Sequence, residues 1–297
     1  MITVIGAANV DITATPLGKY IPRDSNPSRV EIGFGGVGRN IAHNLCLLGN
    51  EVRLFTVFGD DRIALTLRDD CRNQGIIIDP ILEMAGTRSN YFICVNDNDG
   101  EMLAGAADME LMEHLTAQMV ADHMSTINSS DAVVADCNPN AEVLQYLAEH
   151  CTAPLYIDAT SAAKSLKIIS LMPVHRQAPL VIKVNRTEGE ALTGIKNDIE
   201  ATAKWFIDRG VTRVYITLGA EGVFCHDGVQ GIKLPTQAVS IVNATGAGDA
   251  FMAGVVHAEQ QGAAINESAG MGLKCAAIAL QSKNAVNPMI KQLINKS

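Results

Sequence analysis

The sequence predicts an α/β protein, a three-layer sandwich with helices on both faces of a mostly parallel central sheet, plus a small separate β-sheet. Short apolar runs typical of strands alternate with helix-length segments along most of the 297 residues. Two stretches break this alternation, and a glycine-rich segment near residue 246 precedes a helix of small residues. With 47% hydrophobic residues, the chain is long enough to bury a large core, which predicts one domain over residues 1–297 with an appendage.

Composition limits the classes of partner. The net charge is −9 and basic residues are not clustered, so we do not expect a nucleic-acid partner. No apolar run approaches the roughly 20 residues that span a bilayer, so we expect no membrane partner. The seven cysteines are far apart and form no C-x-x-C pair, which favours a reducing, cytoplasmic location. Residues 1–6 predict a strand rather than a signal peptide.

The regular elements are predicted from apolar runs and the turn residues between them. The first strand covers residues 2–5, and a second covers residues 52–57. The alternation is most regular in the second half of the chain. There we predict helices over 111–121, 141–150 and 162–169, and strands over 132–135, 155–157, 180–184 and 213–218.

Two non-helical stretches predict the small sheet. Residues 12–32 contain three prolines and a strand-like end, and residues 89–104 contain two strand-like runs. Residues 96–100, NDNDG, are typical of a hairpin turn. We expect residues 12–32 and 89–104 to project from the main domain and form a lid.

Asn9 and Asp11 follow the first predicted strand. Open α/β sheets bind ligands at the carboxyl ends of their strands, so both residues are candidates for substrate binding. If the strand continues, the two side chains point the same way. A solvated turn is the alternative interpretation.

Residues 33–42, GFGGVGRNIA, lie between a strand-like run and a helix. Gly33, Gly35 and Gly38 satisfy G-x-G-x-x-G, and Asp60 follows the next strand, so a nicotinamide oxidoreductase is one alternative. Asn40 suggests another function for this segment, in which the side-chain amide of Asn40 binds a polyhydroxy substrate. We expect His43 to be an ordinary histidine on the helix surface.

Two further strand ends carry polar or glycine-rich sequences. Asn185 and Glu188 lie three apart at the start of a helix, which suits either Mg²⁺ with its phosphates or a capping box. Thr217, Gly219 and Gly222 follow another strand, and they suit either a nucleotide against the backbone or a plain hairpin turn.

The glycine-rich segment carries the chemistry. Residues 243–254, NATGAGDAFMAG, follow a predicted strand over 238–242 and begin a helix that we expect to reach about residue 261. Amides at the start of that helix form an anion site, with Gly246 and Gly248 permitting the tight turn. Asp249 is placed to accept the proton of an attacking alcohol. We expect the helix dipole to lower the pKa of Asp249. The alternative is a glycine-rich cap with an ordinary first-turn aspartate.

Together these segments resemble the ribokinase-like (PfkB) carbohydrate kinases over essentially the whole chain. Residues 35–42, with Gly49 and Gly59 at the family spacing, resemble the N-terminal family pattern, and residues 245–251, TGAGDAF, resemble the C-terminal one. Asn185 to Glu188 and residues 217–219 fall between them in family order. The resemblance implies an ATP- and Mg²⁺-dependent kinase with a Rossmann-like domain and a β lid that often mediates dimerisation.

Several segments are most similar to the branch of the family that phosphorylates pseudouridine. They include residues 24–27, Arg39, residues 134–138 and residues 158–164. This resemblance implies transfer from ATP to the 5′-hydroxyl of a nucleoside. Another nucleoside or sugar kinase of the family, an oxidoreductase and a non-catalytic binding protein remain alternatives.

The resemblance also implies roles for individual residues. Those expected to bind the substrate are Asn9, Asp11, Gly36, Asn40 and Asn138. Those expected at the transferring phosphoryl group are Gly246, Ala247, Gly248 and the base Asp249. Those expected at the nucleotide are Asn185, Thr217, Gly219, Gly222 and again Gly248, with Glu188 holding Mg²⁺ through water.

The expected small-molecule partners are ATP and a nucleoside or sugar, and we expect a homodimer formed through the lid. A monovalent cation such as K⁺ is a weaker expectation. The family's cation site has aspartate where this chain has Asn243.

Overall fold

A nine-stranded sheet forms the centre of the computed structural model, which describes residues 1–97, 102–173 and 175–294. Its strand order is β15-β14-β13-β12-β11-β10-β1-β4-β6. Its strands are β1 (Ile2–Ile5), β4 (Val52–Phe55), β6 (Ile76–Ile77), β10 (Ala132–Asp136), β11 (Leu155–Asp158), β12 (Leu180–Asn185), β13 (Arg213–Thr217), β14 (Val223–His226) and β15 (Gly231–Leu234). Neighbouring strands in the part of this order from β13 to β6 are all parallel. Strand β14 pairs antiparallel with β13, and β15 pairs antiparallel with β14.

Helices cover both faces of this sheet. They are α1 (Val37–Leu47), α2 (Arg62–Asn73), α3 (Ala117–Asp122), α4 (Met124–Asn128), α5 (Ala141–His150), α6 (Ala162–Ser165), α7 (Arg186–Thr193), α8 (Ile199–Ile207), α9 (Ala247–Gln260) and α10 (Ile265–Ala279). Short 3₁₀ helices cover Glu110–His114, Leu166–Leu171, Gly219–Glu221 and Pro288–Leu293.

Two hydrophobic cores lie on opposite faces of the central sheet. Successive side chains of a strand point to opposite faces, so Val4 packs in one core and Ile5 in the other. Helices α1, α2, α9 and α10 cover the face of Val4, whereas α3, α5 and α8 cover the face of Ile5. The three-layer α/β architecture predicted from the sequence is therefore confirmed.

A second sheet of four strands has the order β3-β2-β8-β9. Its strands are β2 (Asn9–Pro16), β3 (Ser28–Gly35), β8 (Asn90–Asn96) and β9 (Met102–Asp108). Strand β2 follows β1 after three residues, which joins the small sheet directly to the carboxyl edge of the central sheet. Strands β8 and β9 are antiparallel, but most of the predicted hairpin turn over 96–100 lies outside the described residues. A further pair, β5 (Val57–Gly59) with β7 (Leu82–Met84), is parallel.

Three predicted elements differ in the structure. The helix predicted over 111–121 is divided, because Thr116 accepts a hydrogen bond from the amide of Met119 at 3.2 Å and thereby begins α3 as a new helix. The helix predicted over 162–169 becomes α6 followed by a 3₁₀ turn. The strand predicted over 52–57 is interrupted at Thr56, and β4 and β5 belong to different sheets.

The strand predicted over 238–242 is wrong. Residues 238–242 form no strand, and Ile241 and Val242 are 66% and 50% exposed. The amide of Val242 instead donates to the carbonyl oxygen of Leu280 at 2.8 Å, just beyond α10. β-branched residues favour strands only where a neighbouring strand can pair with them.

No helix in the described part of the chain is long and apolar enough to cross a bilayer.

Candidate active site

The carboxyl ends of the parallel strands carry most of the residues predicted for the site. Asp136 at the end of β10 is in register with Asp158 at the end of β11, and Asn185 at the end of β12 is in register with Thr217 of β13. Helices α1 and α9 both begin near this edge, and β2 leaves from it. The topology therefore brings together residues that are up to about 240 positions apart in the sequence.

Asn9 and Asp11 lie on one face of β2, which continues past both residues as the sequence analysis anticipated. The side-chain amide of Asn9 donates to Oδ1 of Asp11 at 2.5 Å. Burial raises the pKa of Asp11 to about 6, although the hydrogen bond from Asn9 and the charge of Arg39 oppose this rise. Asp11 is therefore a desolvated acceptor held in position before any ligand binds.

The glycines at the start of α1 allow close backbone approach. Gly36 has φ 96° and is the residue before the helix, where a side chain would overlap the carbonyl of Ala7. A Cβ on Gly38 would lie 2.8 Å from the Cα of Gly6. The carboxylate of Asp136 accepts hydrogen bonds from the amides of Ala7 and Gly38 at 2.9 and 2.8 Å. These contacts fix the first turn of α1 against Gly6 and Ala7, in the link between β1 and β2.

Asn40, in the first turn of α1, reaches the first turn of α9. Its Nδ2 atom donates to Oδ2 of Asp249 at 2.9 Å, and both residues are buried. The predicted substrate-binding amide and the predicted base are thus direct neighbours.

The pKa of Asp249 is raised, so the prediction of a lowered pKa is wrong. Burial is the largest cause, and the nearby carboxylate of Asp158 adds to it. The hydrogen bond from Asn40 and the charge of Lys183 oppose the rise, and the pKa of Asp249 settles at about 7. Desolvation therefore outweighs the helix dipole, whose effect is typically about 0.3–1 kcal/mol. A carboxylate with this pKa is well matched to accept a proton near neutral pH.

The segment before α9 turns sharply. Gly246 has φ 82°, and a side chain there would overlap the carbonyl of Ala285. No side chain caps the helix at Gly246, and the amide of Ala247 makes only a long contact of 3.4 Å to the carbonyl of Ala244. The first-turn amides, including that of Gly248, have no preceding helical turn to accept their hydrogen bonds. This geometry suits an anion at the helix terminus.

A buried ion pair that the sequence analysis did not identify lies beside this turn. Nζ of Lys183, in β12, donates to Oδ2 of Asp158 at 2.9 Å. Burial disfavours its ammonium form, but the carboxylates of Asp158 and Glu188 outweigh burial and raise the pKa of Lys183. The only sequence signal is a lysine inside an otherwise apolar strand, two residues before Asn185.

Asn138 lies just past β10 and is also buried. Its side-chain oxygen accepts a hydrogen bond from Nζ of Lys164, and its backbone amide donates to Oδ1 of Asp136 at 2.8 Å. Burial lowers the pKa of Lys164. Thr160 next to this region has φ 65°, an unusual conformation for a β-branched residue. Its hydroxyl oxygen accepts the amide of Cys137 at 2.9 Å, and its amide donates to Asp158 at 2.8 Å.

Asn185 and Glu188 form the capping box that was one of two interpretations. Oδ1 of Asn185 accepts the amide of Glu188 at 2.8 Å, and Oε2 of Glu188 accepts the amide of Asn185 at 2.7 Å. Burial is the main cause that raises the pKa of Glu188. Among the described residues no group of three or more His, Cys, Asp or Glu is arranged to hold a metal. Asn185 and Glu188 instead fit a Mg²⁺ ion that keeps its waters and binds mainly through phosphates. Glu188 would then accept a hydrogen bond from one of those waters.

Thr217, Gly219 and Gly222 form the turn between β13 and β14. Gly219 and Gly222 have φ 60° and 95°, and the amide of Leu218 donates to the carbonyl of Gly222 at 2.8 Å. This is a hairpin turn, as one interpretation held, and it lies directly beside Asn185. A side chain on Gly222 would overlap the carbonyl of Leu234.

The oxidoreductase alternative does not fit the structure. Gly33 and Gly35 lie in β3, an edge strand of the small sheet, rather than after a parallel strand of the central sheet. Asp60 accepts the amide of Gly86 at 2.7 Å. His43 was also predicted incorrectly, because it is 7% exposed, and burial and the charge of Arg39 lower its pKa to about 4.

Comparison with known proteins agrees with this geometry. Residues 1–292 match the pfkB family of carbohydrate kinases. The chain belongs to this family. It is 33% identical over 295 residues to a pseudouridine kinase of Escherichia coli, covering 97% of this chain and 92% of that protein. It is 25% identical to a guanosine-inosine kinase of Exiguobacterium acetylicum, covering 99% and 98% of the two chains.

The fold is that of ribokinase. The structure of ribokinase from Thermotoga maritima superimposes with a TM-score of 0.87 over 100% of this chain and 99% of that one, at 21% identity. Family membership makes the protein an ATP-dependent phosphotransferase with an alcohol group as acceptor. The expected ribokinase-like fold and kinase activity are therefore confirmed.

Proposed function

We propose that this kinase transfers the γ-phosphoryl group of ATP to the 5′-hydroxyl of pseudouridine, giving pseudouridine 5′-phosphate and ADP. The observation that carries the proposal is the 33% identity, over 97% of this chain, to a protein named pseudouridine kinase. The predicted substrate residues and the predicted base adjoin through the Asn40–Asp249 contact, which supports a single reaction centre.

In this proposal the ribose binds between β2 and the start of α1. Asp11 accepts hydrogen bonds from ribose hydroxyls, while Asn9 holds the Asp11 carboxylate in place. Gly36 lets the ribose approach the backbone, and Asn40 orients the 5′-hydroxyl toward Asp249. Asn138, which lies across the same edge of the sheet, contacts the nucleoside.

Asp249 takes the proton of the 5′-hydroxyl as its oxygen bonds to the γ-phosphorus and the bond from that phosphorus to the β–γ bridging oxygen breaks. The leaving group is ADP. Because the transition state is loose, the proton moves late, and a base with a pKa near 7 is sufficient. The amides of Ala247 and Gly248, presented by the turn at Gly246, stabilise the charge on the phosphoryl oxygens.

The nucleotide lies along the ends of β12 and β13. Thr217, Gly219 and Gly222 border it, and Asn185 orders the phosphates. Mg²⁺ neutralises phosphate charge when bound, and Glu188 orders one of its waters.

The small sheet acts as a lid over the substrate and as the contact between two copies of the chain. Its exposed apolar side chains support the second role; they are Val30, Ile32, Ile93, Met102 and Leu103. Large exposed apolar patches on a protein surface are typical of interaction sites.

The test is ATP consumption with Mg²⁺ across pseudouridine, uridine, cytidine, adenosine, inosine, ribose and fructose 6-phosphate. We expect the highest kcat/KM with pseudouridine, and 5′-phosphate as the product by phosphorus NMR. Asp249→Asn run in parallel gives the background of uncoupled ATP hydrolysis. A higher kcat/KM with inosine or ribose would reject pseudouridine as the substrate while keeping the kinase chemistry.

A further inference from the structure

Lys183 occupies an unusual position beneath the start of α9. Its side chain is about nine-tenths buried, and a Cβ on Gly248 would lie 2.8 Å from Nζ. The ammonium group therefore lies directly against the helix turn whose amides face the transferring phosphoryl group. A side chain on Gly248 would have to displace the end of this lysine.

The charges around Lys183 keep it ionised. Asp158 bonds to it at 2.9 Å, and Glu188 and Asp249 are close enough to stabilise its charge. Burial alone would favour the neutral amine, but these carboxylates raise the pKa of Lys183. The site thus contains a positive charge that belongs to the chain and does not dissociate.

The loops beside the start of α9 offer poor ligands for a monovalent cation. Residues 242–246 and 280–285 face each other there. The carbonyl oxygens of the second loop are the atoms that could coordinate a cation. Nδ2 of Asn243 donates to the carbonyl of Lys283 at 2.9 Å, and Oδ1 of Asn243 accepts the amide of Thr245 at 2.9 Å. The amides of Val242 and Asn243 both donate to the carbonyl of Leu280. The carbonyl oxygens of Leu280 and Lys283 thus already accept N–H groups, and the neutral side chain of Asn243 lacks the charge with which a carboxylate would attract a cation.

We propose that Lys183 supplies the fixed positive charge at the phosphoryl-transfer site, so that the enzyme works without a monovalent cation. The inference rests on the proposed phosphoryl transfer at α9, but not on the choice of pseudouridine as acceptor. A fixed charge costs no reorganisation during the reaction, and it acts in a buried site where electrostatic interactions are strong.

The first experiment compares salts on the wild-type enzyme. Initial rates are measured in tetramethylammonium chloride and after its replacement by equal concentrations of KCl, NaCl or CsCl. We expect rates that agree within a factor of about two. Melting temperatures with Mg-ADP in the same salts need no acceptor, and we expect no shift specific to K⁺. Specific activation by K⁺, or a specific K⁺ shift in melting temperature, would overturn the proposal.

The second experiment removes the charge. Lys183→Met leaves Asp158 buried and unpaired, so the double variant Lys183→Met/Asp158→Asn is made as well to remove both charges. We expect a folded double variant with turnover reduced at least about 100-fold, comparable to losing an electrostatic donor, and with the KM of the nucleoside nearly unchanged. Arg68→Met is the matched control, because Arg68 is a cation of similar burial away from the site. Wild-type turnover in a folded double variant would overturn the proposal.

Discussion

Asn40 and Asp249 are 209 positions apart in the sequence and share a buried hydrogen bond of 2.9 Å. The bond joins the first turns of α1 and α9, the two helices that carry the N-terminal and C-terminal family motifs. Hydrogen bonds to charged groups contribute about 1.5–3 kcal/mol, so this contact fixes the relative position of the two motifs. It also links the hydroxyl-orienting amide to the proton acceptor.

Replacing Asp249 with asparagine should abolish most activity. The amide cannot accept the hydroxyl proton, so we expect kcat to fall by about 10²–10⁴, the usual range for loss of a general base. Steady-state kinetics with saturating Mg-ATP measures this change. Asp131→Asn is the control, since Asp131 is an exposed carboxylate that binds the N-terminal amine before β10. Near-normal turnover in Asp249→Asn would contradict the role of the base.

The pH dependence of kcat/KM should depend on the hydrogen bond from Asn40 to Asp249. Asp249 must be deprotonated to act, and its pKa is about 7, so kcat/KM should rise with pH through that value. Asn40→Ala removes a donor that lowers the pKa of Asp249. We therefore expect the rising limb of the variant to move to higher pH, with part of the lost rate recovered in alkaline buffer. An unshifted limb would show that Asn40 does not act on Asp249.

Asp249 should also reduce the stability of the fold. Its carboxyl has a folded pKa of about 7 and an ordinary value of 3.8, so between these values the folded state keeps a proton that the unfolded state releases. Stability of the wild type therefore falls as pH rises across this window. We expect Asp249→Asn to melt higher than the wild type at the alkaline end of the window, with a difference that shrinks toward the acid end. A difference independent of pH would contradict the raised pKa.

Local sequence was sufficient for most of the fold. The predicted bounds of helix α5 agree with the observed ones. Residues 141–150 have the apolar periodicity of a helix, and turn residues precede them. Residues 238–242 were predicted incorrectly, because their strand propensity is real but the folded chain supplies no neighbouring strand. Propensity is a local property, whereas strand pairing depends on the tertiary arrangement.

The parts of the site that are formed by sequence motifs could be predicted. The pKa values and ion pairs that depend on burial could not. The turn at Gly246 and the capping box at Asn185 are readable from residue types and spacing. The raised pKa of Asp249 depends on desolvation and on Asp158, which lies 91 positions earlier in the sequence. Lys183 was missed for the same reason, since a lone lysine in a strand does not reveal its buried partner.

Asp11→Ala should weaken acceptor binding with little effect on kcat. The substitution removes a charged acceptor held by Asn9, and such hydrogen bonds contribute about 1.5–3 kcal/mol, so the KM of the nucleoside should rise about 10- to 100-fold. The KM of ATP should not change, because Asp11 lies on β2 and not beside the ends of β12 and β13. Kinetics with each substrate varied in turn separates the two values. An unchanged nucleoside KM would remove Asp11 from the binding site.

Glu188→Gln should separate the two roles of Glu188. Glutamine also serves at the third position of a capping box, so helix α7 and the melting temperature should be preserved. The variant loses the negative charge that orders a water of Mg²⁺, and outer-shell changes of this kind typically cost about 10- to 100-fold in metal affinity. We therefore expect the Mg²⁺ concentration for half-maximal rate to rise by about tenfold or more. Glu190→Gln, in the same helix and bonded to the amide of Asn197, is the matched control. A normal Mg²⁺ dependence in a folded Glu188→Gln variant would leave Glu188 with the capping role alone.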